Sequence, residues 1–360
     1  MAKVTLNENK VIKFLVIGPG LIGRKHIQLI HEHNNCKVEA IVALHPKMHE
    51  HYIQEIGAGV YGSLEEAFEH HYFDAVIISS PNEFHYDHAI KCIDRNLPIL
   101  VEKPLTDTLE KAKLLVQHAK LKRVPVLVGH HRTYSSFMPV AKEIIDSEQF
   151  GKLVSVQGSA QFFKPAHYFV EGEWRKKKGG GPILINLIHE IGIMRELCGE
   201  IVRVFAFASS ATRQFEVEDT VAINLEFDNG CIGTYILSDC AASTKSWEMT
   251  SGENPAYPYY PQESCYHFTG TNGSLDFPNM HFTYYKDKES ASWWKPFEHQ
   301  TLAVHAEDPL LRQLEHFIEV ILGNELPLVS GDSGYNNMRV LDAIQQSILL
   351  DKPIKIEPRG

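Results

Sequence analysis

Gly18-Pro19-Gly20-Leu21-Ile22-Gly23 follows the apolar run Phe14-Leu15-Val16-Ile17, and Glu102-Lys103-Pro104 follows a second such run further along the chain. The first segment has the strand–turn–helix setting that a dinucleotide pyrophosphate requires. Gly18 permits the tight turn, Gly20 lets the backbone approach the phosphates, and Gly23 lets the helix pack close to the sheet. Leu21 and Ile22 open an amphipathic stretch continued by Ile27, Leu29 and Ile30. The pyrophosphate then lies at a helix N-terminus, where N–H groups and the helix dipole favour an anion. Together the two segments point to an oxidoreductase.

The elements that must position these residues alternate at a regular pitch. Strands are expected at 13–17, 38–43, 74–79, 98–101 and 124–128, with helices near 21–32, 47–56, 64–70, 83–95 and 107–121. Alternation of this kind predicts a parallel sheet covered on both faces. Asp107, with Glu110 three residues on, reads as the cap of the last of these helices. Ligands in such sheets bind at the carboxyl ends of the strands, where Gly18–Gly23, Ser79–Asn82 and Glu102-Lys103 fall.

Beyond about His130 the pattern changes to strand-like segments at 152–163, 201–211, 219–228, 231–239, 264–269 and 282–286. Asp228-Asn229-Gly230 reads as a hairpin turn, and Val221, Ile223, Leu225 and Phe227 alternate with polar or small residues as in a sheet buried on one face. A helix opens after Gly179-Gly180-Gly181 with Pro182 in its first turn and stops at Cys198-Gly199. Two more follow, one from Asp308-Pro309 to Leu322 and one over roughly 333–350. The expected fold class is α/β: a Rossmann dinucleotide-binding domain over 1–129, then an α+β domain with a large, mostly antiparallel sheet over 130–360, whose terminal helices could pack back on the first.

Composition narrows the function. A net charge of −10 without a long basic block argues against nucleic acid, and neither an apolar leader nor a run of membrane-spanning length is evident, so a cytoplasmic location is expected. The six cysteines include no CxxC pair and read as reduced thiols. Twenty histidines raise the question of metal, but the pairs His49/His51, His70/His71 and His130/His131 lack a third ligand at a recurring spacing. His189-Glu190 begins like HExxH, yet Ile193 stands where the second histidine belongs, and no metal is expected.

In order and spacing, the glycine motif, Ser80-Pro81-Asn82-Glu83-Phe84-His85, Glu102-Lys103-Pro104, Trp174-Arg175 ahead of Gly179-Gly180-Gly181, and His189 resemble the Gfo/Idh/MocA oxidoreductases over nearly the whole chain. The resemblance implies that Lys103 and His189 are catalytic. It also implies that Ser80, Pro81, Asn82, His85, Glu102, Trp174 and Arg175 join Gly18, Gly20, Leu21, Ile22 and Gly23 around the cofactor. Removing a hydride from a carbinol carbon leaves a proton on oxygen, and histidine and lysine are side chains able to take it.

Departures from that pattern matter. Many members carry an aspartate four residues before the histidine and another three after it; here those positions are Ile185 and Gly192. Asn186, three before His189, is then the polar residue expected to share its helical face and to bind a substrate hydroxyl or orient the imidazole. At the end of the second strand, where an acid commonly binds the ribose 2′-hydroxyl of NAD, Leu44 stands, followed by His45 and Lys47. The cofactor is therefore NAD or NADP, with a lean to NADP.

The expected substrate pocket, lying between the crevice and the antiparallel sheet, includes His130, Arg132, Tyr168, Asn186, His189 and Tyr257. Aromatic planes mixed with hydrogen-bonding groups suit a sugar or cyclitol. The reading is an NAD(P)-dependent dehydrogenase or reductase acting on CH–OH groups of a sugar, inositol or small polyol, and a homodimer or homotetramer through its C-terminal sheet. A dinucleotide-binding sensor, or an enzyme that retains its cofactor for transient oxidation, are the alternatives.

Overall fold

The computed structural model describes residues 11–49, 55–289 and 291–357. They form two units, one running to His131 and including Leu310–Met338, the other holding Arg132–Pro309 and the chain from Arg339.

The first unit is built on six parallel strands, β1 (Ile12–Ile17), β2 (Cys36–Val42), β3 (Gly59–Tyr61), β4 (Ala75–Ile78), β5 (Ile99–Val101) and β6 (Val126–Val128), in the order β3-β2-β1-β4-β5-β6. This is the dinucleotide-binding order, with its reversal at β1/β4. Helices Leu21–Glu32, Leu64–His70, His85–Ile93 and Leu109–Lys122 follow the strands. Every residue of β4, β5 and β6 is buried, which is why these strands read as unbroken apolar runs. Phe317 of the helix Pro309–Ile321 packs on Phe14, ring centroids 6.0 Å apart, so the late segment completes this core.

The structure corrects two details here. The cap of Leu109–Lys122 is Thr108, whose side chain accepts from Lys111 N; Asp107 instead pairs with Lys111 Nζ at 2.9 Å. Of the helix expected at 47–56, Pro46–His49 forms a 3₁₀ turn and 50–54 lie outside the described residues. β3 carried no periodic signal because it is only three residues long.

The second unit holds nine strands: β7 (Leu153–Gln161), β8 (Ile201–Ser209), β9 (Thr220–Phe227), β10 (Ile232–Ser238), β11 (Tyr266–Gly270), β12 (Gly273–Phe277), β13 (His281–Tyr284), β14 (Glu298–Thr301) and β15 (Ile354–Lys355). Neighbours run antiparallel except β7 and β10, which pair in parallel. The turn at Asp228-Asn229-Gly230 joins β9 to β10, with Gly230 at φ 85°. One sheet face, including Val156, Ile223, Leu225, Phe268 and Phe277, buries against the helices Phe137–Ile145 and Ile188–Cys198. Each such side chain contributes roughly 1.5–3 kcal/mol. The opposite face exposes Phe207, Ile232 and Ile236.

The helix expected after the triple glycine starts differently. Residues Ile183–Leu187 form a π-turn, and regular α-helix begins at Ile188. Asn186 lies within that π-turn, whose i→i+5 hydrogen bonding departs from the regular α-helical spacing on which a face shared with His189 was expected.

Candidate functional site

In the first unit the glycines form a cradle. Gly18 has φ 88°, and a Cβ there would meet Ser80 Cα at 2.7 Å; a Cβ on Gly23 would lie 2.1 Å from Gly18 O. Ser79 Oγ lies 2.8 Å from that same carbonyl and donates to it. At Gly20 the opposite holds, since a Cβ would find nothing within 4 Å. Gly20 is the N-cap of Leu21–Glu32, makes no side-chain cap, and no acid stands in the first turn. Open space, uncapped N–H groups and the positive end of the dipole fit an anion such as a pyrophosphate. Leu21 is exposed and Ile22 half-buried at the rim. Pro81 and Asn82 are exposed on the adjacent loop.

Two expected cofactor contacts turn out to be supports. His85 is buried, its Nδ1 2.9 Å from Pro104 O and its Nε2 2.8 Å from Ser80 O, so it ties the loop after β4 to the loop after β5. Burial pushes its pKa down, against the pull of both carbonyls. Glu102 is 5% exposed: Oε1 accepts from His26 Nε2 at 2.8 Å and Oε2 accepts from Lys103 N at 3.2 Å. Burial would raise its pKa, but the His26 hydrogen bond and nearby positive charge hold it below the usual carboxylate value. Lys103 itself is half-buried at the end of β5. At the end of β2, Leu44 is 84% exposed and His45 is exposed beside it. His130 is buried and accepts from Asn337 Nδ2 at 3.2 Å, a place in the packing rather than on an open wall.

The second unit gathers the remaining candidates unequally. His189 is buried on Ile188–Cys198, and Asn186 Oδ1 accepts from Lys164 Nζ at 2.7 Å. That ammonium also lies 4.9 Å from the Tyr168 ring centroid. The Arg175 guanidinium stacks on Tyr168 at 3.9 Å and donates to its carbonyl, while Trp174 and Tyr257 are exposed. Arg175 thus orders the Tyr168 segment. Arg132 is corrected most. It is 6% exposed, donating to Glu190 Oε1 and, at 2.6 Å, to Glu248 Oε1, and Tyr266 Oη donates to the other Glu190 oxygen. It therefore belongs to a buried ionic network rather than to an open substrate wall.

Lys164, His26, Glu190 and Glu248 escaped the sequence reading. His26 had a readable signal, since Gly23, His26, Ile27 and Ile30 repeat at i, i+3, i+4 and i+7 on the buried face of their helix. The others had none. No group of three His, Cys, Asp or Glu placed to hold a metal occurs among the described residues, and no helix among them is long and apolar enough to cross a membrane.

A β3-β2-β1-β4-β5-β6 sheet with a glycine cradle at its switch point defines a dinucleotide-binding protein. Residues 12–130 match the model for the oxidoreductase family with NAD-binding Rossmann fold, and residues 139–276 match the GFO/IDH/MocA C-terminal domain. The chain belongs to the GFO/IDH/MocA oxidoreductase family. It is 28% identical over 302 residues to scyllo-inositol 2-dehydrogenase (NAD(+)) of Bacillus subtilis, covering 81% of this chain and 80% of that one. An uncharacterized oxidoreductase of Streptococcus pneumoniae is 23% identical over 61% of this chain, and the match spans only 60% of that relative. The crystal structure of an oxidoreductase from Agrobacterium radiobacter in complex with NAD+, L-tartaric acid and magnesium shares the fold, with a TM-score of 0.81 at 16% identity over 96% of this chain and 98% of that one.

Proposed function

We propose that this chain is an NAD(P)-dependent dehydrogenase or reductase of the cytoplasm, acting on a hydroxyl or carbonyl carbon of a sugar, inositol or similar small polyol. The observation that carries the reading is the open, uncapped backbone at Gly20, on the same strand-end edge of the sheet as Lys103. Gly18, Gly20 and Gly23 would hold the pyrophosphate, with Leu21, Ile22, Ser80, Pro81 and Asn82 around it. The nicotinamide, when bound, supplies the hydride acceptor or donor. Lys103 Nζ and the His189 imidazole take and return the hydroxyl proton, and Asn186 with Lys164 fixes a substrate oxygen. His85, Glu102 and Arg175 hold those groups in place. The exposed Phe207, Ile232 and Ile236 on the outer sheet face support association of copies through that sheet.

A panel of sugars and cyclitols followed by nicotinamide absorbance tests the activity. Tight dinucleotide binding with no turnover across the panel would overturn it in favour of a sensor. His189→Ala is expected to lower kcat by about a hundredfold, and Asn186→Ala to have the smaller effect of raising KM by only a few-fold. Equal kinetics for wild type and His189→Ala would remove the histidine from the mechanism.

For the cofactor, the missing acid at Leu44 supports acceptance of a 2′-phosphate, with His45 and Lys47 beside it. Leu44→Asp is expected to shift the ratio of NADP to NAD dissociation constants about tenfold toward NAD, the worth of one charge-assisted hydrogen bond. An unchanged ratio by fluorescence titration would show that Leu44 does not face the ribose.

A further inference from the structure

The helix that begins at the glycine cradle sends one polar side chain into the core. His26, one turn after Gly23, is 1% exposed, and its Nε2 lies 2.8 Å from Glu102 Oε1. A carboxylate only accepts, so the Nε2–H donates, which fixes one end of the imidazole. His26 Nδ1 is buried and has no hydrogen-bond partner among the described residues. The other oxygen of Glu102 receives the backbone N–H of Lys103. Room for the carboxyl group comes from Gly129, where a Cβ would stand 2.7 Å from Glu102 Cδ. His26, Glu102 and the Lys103 amide thus form one buried chain linking the cradle helix to the loop that carries Lys103.

An apolar side chain would fill the His26 site without leaving a buried nitrogen unpartnered, an arrangement that costs about 1–3 kcal/mol. Packing alone therefore does not account for a histidine there. The buried carboxylate needs a donor on the side away from Lys103, or it must turn to other positive neighbours, of which the Lys103 ammonium and His131 are those that act on its charge. His85, the remaining titratable group influenced by Glu102, is committed to two carbonyls.

We infer that His26 is a positioning residue: by donating to Glu102 it holds that carboxylate against the Lys103 amide and keeps it from capturing the Lys103 side chain. The inference rests on the proposed role of Lys103 in proton transfer.

The test compares His26→Leu, which fills the space without a donor, with His26→Gln, which restores an N–H toward Glu102. Expected for His26→Leu is a fall in kcat of about tenfold or more, as small misplacements of a reacting group produce, with KM and the NAD dissociation constant within about twofold of wild type. His26→Gln should recover most of the loss. A second readout needs no substrate: the pH midpoint for acetylation of Lys103 by acetic anhydride in the NAD-loaded protein, read by peptide mass spectrometry. A midpoint higher in His26→Leu than in wild type or His26→Gln supports the inference, because a carboxylate drawn to the ammonium stabilises its charged form. Equal midpoints in all three proteins would overturn it, as would a glutamine variant no better than leucine in both readouts. If no substrate is ever turned over, the proposed activity fails while the labelling still decides the role of His26. Should His26→Leu not fold, His26→Met replaces it, a flexible apolar side chain that also lacks a donor: the same higher midpoint is expected, and one equal to wild type counts against the inference.

Discussion

Lys103→Ala is expected to lower kcat by about a hundredfold or more, the usual scale for a positioned acid–base group, while the dinucleotide dissociation constant stays near that of wild type. The separation follows from where the groups stand. The cradle is backbone at Gly18, Gly20 and Gly23, whereas Lys103 enters from the end of β5 with its amide held by Glu102. Lys103→Arg sharpens the test, because guanidinium keeps the charge but does not give up its proton at neutral pH. If Lys103 moves a proton, the arginine variant stays as slow as the alanine variant; if it supplies only positive charge, arginine restores turnover. Steady-state kinetics and a cofactor titration on the three proteins decide it, and a near-normal kcat in Lys103→Ala would remove the residue from the chemical step.

What could be read from the residues, and what could not, divides by range. The parallel sheet was legible because β1, β4, β5 and β6 are largely buried apolar runs punctuated by loops, and the glycine cradle because Gly18 and Gly23 each meet a local steric demand while Gly20 leaves the helix N-terminus open. The α/β fold class, the antiparallel second sheet and the family followed from the same local signals. Adjacent residues of similar chemistry were less decidable: Asp107 and Thr108 are both competent caps, and backbone geometry chose the threonine. β14 escaped notice because Glu298–Thr301 carries no apolar residue, and β15 because it has two residues. Partners distant in sequence were out of reach. Nothing near Arg132 reveals acids 58 and 116 positions away, so a buried ion pair and a substrate wall looked alike. Lys164 likewise gains meaning only from Asn186, 22 residues on.

Arg132→Ala should therefore destabilise the second unit rather than merely weaken substrate binding. The guanidinium is buried between Glu190 and Glu248. Burial disfavours its charge, but the two glutamates more than offset that and raise its pKa. Between the carboxyls the balance is uneven: burial pushes Glu190 up, whereas Arg132 holds Glu248 down despite burial. Removing the arginine leaves both acids in the interior without their countercharge, a loss of roughly 3–5 kcal/mol. For a unit of this size that corresponds to a fall in Tm of about 6–20 °C. The deficit should depend on pH with a defined sign. A carboxyl whose folded pKa rises above its unfolded value of about 4.3 binds more protons when folded, so stability falls as pH rises through that window. The gap between Arg132→Ala and wild type should thus be smallest below about pH 4.3 and widen toward neutrality. Thermal unfolding of both proteins at several pH values measures it. A constant, small gap accompanied by a large rise in KM would return Arg132 to the substrate pocket.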